Sequence, residues 1–230
     1  MTLVVNSLNN LKNAAVLAAF FVLAVLAGCS SDLEIEKLSG RTMGTNWSVA
    51  IANPNGIYDQ KEVKGEIETV LFEVNRQMST YDPASEISQF NQFEDFNTWF
   101  PVSKLFASTT ARALGFSEIS NGSFDPTVGP LVNLWGFGPG TSSEVLPSDD
   151  AIALAMSTVG FSAIDVRESD TVVGSAIQKK AERYLDLSAI AKGLGVDEVY
   201  ALLVDLGYSN FLVEIGGEVR VKGDKDGSGW

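Results

Sequence analysis

The chain of 230 residues carries 16 basic and 29 acidic side chains, a formal net charge of −13, and 45% of its residues are hydrophobic. This is a globular composition, and so acidic a chain is not expected to bind nucleic acid. Because the sequence contains no histidine, this stretch excludes Ser-His-Asp catalysis, Cys-His catalysis and imidazole-ligated metals. Any metal bound here must be held by oxygen, which favours magnesium or calcium.

Residues 1–28 have the pattern of an export signal. Lys12 is their only charge, and the small and apolar run over 14–28 is short for a bilayer-spanning helix. The run ends in Leu-Ala-Gly-Cys at 26–29, which resembles the site cut by the lipoprotein signal peptidase. The sequence therefore predicts a signal peptide over 1–28 and a lipid on Cys29; the alternative is an uncleaved membrane anchor.

Cys29 is the only cysteine, so a disulfide framework cannot hold the exported domain together. The polar residues that follow it predict a tether over 29–37. Residues 38–230 are numerous enough for one large domain or two small ones with a hydrophobic core. Without residues 1–28 the net charge becomes −14, because that segment contributes one lysine and no acid.

The sequence of the first half of the domain predicts a strand followed by two helices. Thr, Val and Ile surround Trp47 over 40–52, which is typical of a strand. An apolar stripe with helical spacing covers 60–78, and Asp82-Pro83 marks the turn after it. Residues 103–119 predict a second helix that is capped by Ser103.

The second half mixes loops, strands and helices. Residues 121–140 contain glycine and proline among large apolar side chains, which indicates an ordered loop packed against the core. The remaining predicted elements are a short helix over 147–158, strands over 171–173 and 181–187, a helix capped by Ser188 and closing at Gly207, and a strand over 211–221 interrupted by Gly216-Gly217. This order predicts an α+β domain with a mixed sheet and packed helices.

Residues 223–230 have the composition of a turn after that last strand. A strand that enters such a turn normally pairs with a strand beyond it. We therefore expect 38–230 to be the N-terminal part of a domain that is incomplete at its C terminus, and this piece alone to be inactive.

Four segments place glycine and small polar residues beside an aromatic or charged side chain, and these are residues 41–45, 79–88, 122–138 and 186–193. Taken singly, each has a structural explanation, because isolated glycine and aromatic residues usually serve turns and packing. Taken together, they indicate a ligand site.

The residue types in these segments suit a nucleotide. Met43 and Tyr81 could enclose a flat ring through sulfur contact and stacking. A glycine-rich backbone and Lys192, one turn inside a predicted helix, suit phosphate. Asp186 could accept a hydrogen bond from a ribose or an adenine amine. The pattern indicates an aromatic base with phosphates but does not identify the nucleotide.

The order and the residues of the four segments, followed by Val-Glu-Ile-Gly-Gly-Glu-Val-Arg at 213–220, resemble the ApbE family, the FAD:protein FMN transferases. The resemblance extends over 39–230. It implies an ApbE-like, T-fold-like architecture. It also implies Mg²⁺-dependent transfer of the FMN half of FAD to a threonine hydroxyl of an acceptor protein, with release of AMP.

Carried over position by position, the family's flavin contacts fall on Met43, Tyr81, Ser123, Phe124, Asp125, Asp186 and Lys192. Its magnesium contact falls on Ala189, which can act only through its backbone carbonyl. The family places its remaining metal ligands and a His-containing segment after the last of these motifs. The catalytic residues are therefore left unassigned.

The resemblance leaves alternatives open. Some family members resemble FAD pyrophosphatases, in which water replaces the threonine hydroxyl, and a flavin-binding lipoprotein without catalysis is a further possibility. The implied partners are acceptor flavoprotein subunits of redox complexes, such as the sodium-pumping NADH:quinone reductase, and the membrane itself. The expected location is membrane-anchored and facing the periplasm, with inner or outer membrane unresolved.

Overall fold

Two antiparallel sheets carry the β structure of the computed structural model, which describes residues 34–52, 59–139, 146–171, 174–225, 227 and 229–230. The strands are β1 (Ile35–Thr42), β2 (Thr45–Ala52), β3 (Phe100–Val102), β4 (Ile164–Arg167), β5 (Ser175–Lys179), β6 (Phe211–Ile215) and β7 (Glu218–Lys222). The first sheet has the order β1-β2-β6-β7, and the second has the order β3-β5-β4. Cys29 and the predicted signal peptide lie outside the described residues.

Six α-helices pack with these sheets in the described part of the chain, and a short 3₁₀ turn covers Phe161–Ala163. They are α1 (Gln60–Met78), α2 (Glu86–Gln92), α3 (Lys104–Ile119), α4 (Gly129–Leu134), α5 (Asp149–Ser157) and α6 (Ser188–Asp205). None of the described helices combines the length and apolarity that crossing a bilayer requires. The α+β class expected from the sequence is confirmed. In place of one mixed sheet, the described strands form two sheets whose pairs are antiparallel.

Side-chain caps define several helix starts. The carboxylate of Asp59 accepts a hydrogen bond from the amide of Lys61, and the hydroxyl of Ser103 accepts one from the amide of Phe106. Each satisfies an N–H group that has no partner within its helix. α1 covers the predicted range, and α3 begins directly after the predicted cap.

Two buried clusters form the hydrophobic core. The first lies between the β1-β2-β6-β7 sheet and helices α1 and α6, with Trp47, Ile67 and Phe211 at most 2% exposed. The second joins the end of α1 to α2, α3 and the smaller sheet, and it includes Phe90 and Phe106. The half-buried side chain of Met43 packs against both clusters. The turn that carries Met43 is therefore anchored at the junction between them.

The strand predicted over 40–52 is a hairpin. Thr42 pairs with Thr45, and the two-residue turn between them has φ values of 48° at Met43 and 70° at Gly44. Positive φ at both central residues is the geometry that matches the twist of paired strands. The sequence analysis missed this turn because Met43 occupies a position where Asn or Gly is usual.

The strands predicted over 171–173 and 181–187 are wrong as far as these residues are described. The smaller sheet uses β4 and β5 instead, and residues 181–187 are irregular. Leu185 is nevertheless buried. The side chain of Asn91 makes the two backbone hydrogen bonds that a neighbouring strand would otherwise make. The amide nitrogen of Asn91 donates to the Leu185 carbonyl at 2.9 Å, and the Leu185 amide donates to Asn91 Oδ1 at 2.7 Å.

Two further boundaries differ from the prediction. β1 begins at Ile35, so residues 35–37 belong to a strand. Ser188 does not cap α6 but is its first residue, and the carboxylate of Asp186 accepts a hydrogen bond from the Ser188 amide at 2.8 Å. At the other end, Gly207 has a φ of 86° and closes the helix in the manner of a Schellman turn.

Lys179 of β5 is 3% exposed, and its ammonium donates to the Asn91 carbonyl at 2.9 Å. Burial lowers the pKa of Lys179 below its ordinary value of 10.5, although the carboxylates of Glu182 and Glu94 oppose the change. Below the folded-state pKa both folded and unfolded chains carry the proton, so the cost of burying the charge is present in full. As pH rises through that pKa, the unfolded chain binds more protons and stability rises.

We therefore expect Lys179 to add to the free energy of unfolding as the pH rises toward the ordinary lysine pKa of 10.5, so that wild type gains more stability with pH than Lys179→Met. Urea unfolding at several pH values measures it. Lys180→Met is the matched control, because Lys180 is 48% exposed and pairs with Asp165. Parallel pH profiles for wild type and Lys179→Met would contradict the assignment.

Candidate functional site

A cavity of about 890 Å³ opens beside the end of α1 and the start of α6. Its volume lies in the range of small-molecule sites. All eight residues to which the sequence analysis assigned ligand or metal contacts line it: Met43, Tyr81, Ser123, Phe124, Asp125, Asp186, Ala189 and Lys192. The fold thus brings four segments that are distant in sequence to one place.

Met43 and Tyr81 contribute different surfaces to the cavity. The Met43 methyl packs over Gly195, where an added Cβ would lie 3.0 Å from it, so the absence of a side chain at Gly195 makes room. The Tyr81 side chain is 65% exposed, and its hydroxyl donates to the Phe137 carbonyl at 2.7 Å. This hydrogen bond joins the loop after α1 to the segment after α4.

The carboxylate of Asp125 organises the loop that holds Ser123 and Phe124. Its Oδ1 accepts hydrogen bonds from the amide and the hydroxyl of Thr127, at 2.8 and 2.6 Å, and its Oδ2 accepts one from the Phe161 amide at 3.0 Å. Both oxygens of Asp125 are therefore engaged by the chain itself. The Asp125 side chain therefore fixes the shape of the cavity wall.

Thr127 extends this network behind the wall. It is fully buried, and its hydroxyl accepts a hydrogen bond from the Gly160 amide at 2.7 Å. The Gly160 carbonyl accepts a further bond from Arg183 Nε at 3.1 Å. Since Val159 and Met156 also line the cavity, the network fixes two walls relative to each other.

The start of α4 packs closely against an aromatic ring. A Cβ added at Gly129 would lie 2.2 Å from the ring of Tyr184, so only glycine permits this approach. Burial raises the pKa of Tyr184, opposed by a hydrogen bond with Asn133. The phenol therefore stays protonated at neutral pH and can donate.

Lys192 supplies a cation to the cavity. Its Nζ donates to the Gly216 carbonyl at 3.3 Å and lies 3.8 Å from Glu218 Oε1. The side chain is 37% exposed, so it stays within reach of a bound anion. Gly216 has a φ of 55°, and a Cβ there would meet Thr45 at 2.8 Å and Lys192 at 3.1 Å. The β6–β7 turn therefore needs glycine to hold the lysine.

The sequence pattern of the family described as "ApbE family" matches residues 43–230 of the chain. This chain belongs to the ApbE family. An FAD:protein FMN transferase of Vibrio cholerae is 42% identical over 216 residues, which cover 93% of this chain and 63% of that protein. One of Haemophilus influenzae is 42% identical over 209 residues, which cover 89% of this chain and 60% of the relative.

Solved structures give the same result for the fold. The flavin transferase ApbE from Vibrio cholerae has a TM-score of 0.80 and 41% identity, over 86% of this chain and 62% of that one. The apo flavinyl transferase ApbE of Pseudomonas stutzeri has a TM-score of 0.78 and 33% identity, over 86% and 64%. The expected ApbE-like architecture is confirmed, and the chain spans just over 60% of the length of these proteins.

The described part of this ApbE-family chain does not by itself fit a magnesium site. No group of three or more Cys, Asp or Glu residues lies together in it. Ala189, the predicted metal contact, is exposed in the first turn of α6 and offers only a carbonyl, which already accepts an intrahelical bond. Mg²⁺ sites that use waters and substrate phosphates still take one or two carboxylates from the protein, which this carbonyl alone does not supply.

Sequence reasoning missed Asn75, which lines this site in the ApbE-family chain, and it included Thr127 and Phe137 only as members of the 122–138 segment, without individual roles. Asn75 could have been noticed, because asparagine is unfavourable within a helix and here it adjoins the apolar stripe of α1. The contacts that Thr127 and Phe137 make could not be recognised within that segment. Their partners, Gly160 and Tyr81, are 33 and 56 residues away in the chain.

Proposed function

We propose that the full-length protein transfers the FMN half of FAD to a threonine hydroxyl of an acceptor protein and releases AMP. One observation carries the proposal: eight residues assigned by resemblance to the flavin and its metal line a single cavity. The names of the relatives, FAD:protein FMN transferase, support the same reaction.

In this reaction the threonine oxygen forms a bond to the phosphorus of the FMN half. The bond from that phosphorus to the bridging oxygen breaks, AMP leaves with the oxygen and its electron pair, and the threonine hydroxyl proton is released to solvent. Transfer of this kind depends on positioning and on neutralising negative charge, not on an enzyme nucleophile. Lys192 is placed to contribute such neutralisation, since its ammonium reaches the cavity from α6.

We propose that this reaction requires Mg²⁺. Mg²⁺ would supply charge neutralisation at the phosphates when bound. Among the described residues, the resemblance assigns it the Ala189 carbonyl alone, so no step of the reaction is assigned through the metal. A test is to titrate MgCl₂ into the full-length protein with FAD and follow AMP release, which we expect to require the ion.

We also propose that the protein is anchored to a membrane by a lipid on Cys29 and faces the periplasm. The signal-like segment over 1–28 and its closing Leu-Ala-Gly-Cys support this location. Tethering would hold the enzyme in the plane of membrane-bound acceptor subunits of redox complexes and raise their effective concentration. Cys29→Ser should abolish lipid labelling and release the protein from membranes; unchanged fractionation would contradict the anchor.

Tyr81 tests the ring-binding part of the site. We expect Tyr81→Ala to weaken FAD binding about fivefold, because stacking on an aromatic side chain is worth about 1 kcal/mol, and to change the fluorescence of bound flavin. Tyr81→Phe is the matched control, since it keeps the ring and removes only the hydrogen bond to the Phe137 carbonyl. An FAD affinity that Tyr81→Ala leaves unchanged would remove Tyr81 from this role.

A further inference from the structure

The side-chain amide of Asn75 lines the cavity in a fixed orientation. Its nitrogen donates to Thr42 Oγ1 at 2.9 Å and to the Leu71 carbonyl at 2.8 Å. A carbonyl can only accept, so the nitrogen of Asn75 must face Leu71 and the oxygen must face away. Both N–H groups are thereby used within the protein.

The carbonyl oxygen of Asn75 is left as an acceptor. No described residue donates a hydrogen bond to this oxygen. The oxygen is also not completely buried within the described part of the chain. Asn75 is half-buried and lines the cavity beside Met43, Val74 and Met78. An oriented acceptor among apolar and thioether groups favours a ligand that presents an N–H donor to it and packs against those groups.

The oxidised isoalloxazine ring has this character. It is flat, its dimethylbenzene end is apolar, and its only N–H group, at N3, lies on the opposite edge between two carbonyl groups. The adenine of FAD presents an amine instead. The side chains beside Asn75 are the thioethers of Met43 and Met78 and the apolar Val74. These neighbours suit a flat ring better than a charged phosphate.

We propose that Asn75 recognises the flavin ring by accepting a hydrogen bond from N3–H, and that Thr42 and Leu71 orient it for this purpose. The inference rests on the proposed function, since it assumes that FAD is the ligand. It assigns to Asn75 the discrimination between a flavin and a flat ring of similar size that lacks the edge donor.

The test compares FAD with N3-methyl-FAD in the full-length protein by fluorescence or calorimetric titration. We expect the wild type to bind N3-methyl-FAD about tenfold or more weakly than FAD, because the methyl group removes the donor and leaves the acceptor unpaired. Asn75→Leu keeps the side-chain volume and removes the acceptor. It should weaken FAD about tenfold and leave the affinity for N3-methyl-FAD close to that of the wild type.

Thr42→Val provides a second variant, which keeps Asn75 and removes one of the two groups that orient it. It should reduce the preference for FAD over N3-methyl-FAD without affecting N3-methyl-FAD itself. An equal loss of both ligands in Asn75→Leu would overturn the proposal and make Asn75 a structural residue. A wild type that binds neither ligand would instead reject the proposed function.

Discussion

Replacing Lys192 with methionine should lower the rate of FMN transfer about 100-fold or more, the usual effect of removing one charged or hydrogen-bonding group that stabilises a transition state. The Lys192 ammonium is held by the Gly216 carbonyl, close to Glu218, at the edge of the cavity. A transferring phosphoryl group gathers negative charge that this cation would neutralise. Initial rates at saturating FAD and acceptor measure the effect.

The fold should tolerate this change, because the Lys192 side chain is partly exposed and methionine keeps most of its apolar stem. Lys64→Met is the matched control. Lys64 is also on a helix, is 42% exposed and pairs with a glutamate, but it does not line the cavity. A Lys192→Met protein with normal kcat would show that the cation does not act on the reacting phosphate.

Asp125→Ala should destabilise the protein by about 3 kcal/mol and weaken FAD binding about tenfold or more, because partly buried donors then lose their acceptor. The carboxylate of Asp125 accepts from both donors of Thr127 and from the Phe161 amide. Without it, the wall formed by residues 122–128 loses its attachment to the 3₁₀ turn. Chemical denaturation and FAD titration measure the two effects.

Asp82→Ala is the control for this prediction. The Asp82 carboxylate accepts a single hydrogen bond, from the Ala84 amide, and that contact is exposed. Its loss should cost no more than about 1 kcal/mol. Thr127→Ser should stay close to wild type because it keeps the hydroxyl, whereas Thr127→Val should resemble Asp125→Ala. Equal stabilities for Asp125→Ala and Asp82→Ala would mean that the network does not hold the wall.

Elements with strong local signals could be predicted from the sequence. The stripe of Val63, Ile67, Leu71 and Val74 repeats at helical spacing, and α1 has the predicted bounds. Ser103 precedes α3 as the predicted cap, because a hydroxyl at that position satisfies a free amide locally. The residues that line the cavity were found through motifs, not through spacing alone.

Features that depend on distant partners could not be predicted. Leu185 is buried without a strand neighbour, because the side chain of Asn91, 94 residues earlier, makes both backbone hydrogen bonds. Asp125 carries the signature of a ligand contact in sequence, but its carboxylate is used by Thr127 and Phe161. The orientation of Asn75 depends on Thr42, which lies on another element.

The central claim is tested most directly by mass spectrometry of an acceptor incubated with the full-length protein, FAD and Mg²⁺. The acceptor should be a threonine-bearing peptide, with its Thr→Val form as a control. The proposed function predicts a peptide heavier by one FMN, AMP in equal amount, and no adduct on the valine peptide. AMP and free FMN without an adduct would contradict transfer and indicate a pyrophosphatase, while bound FAD without turnover on any acceptor would indicate a flavin carrier.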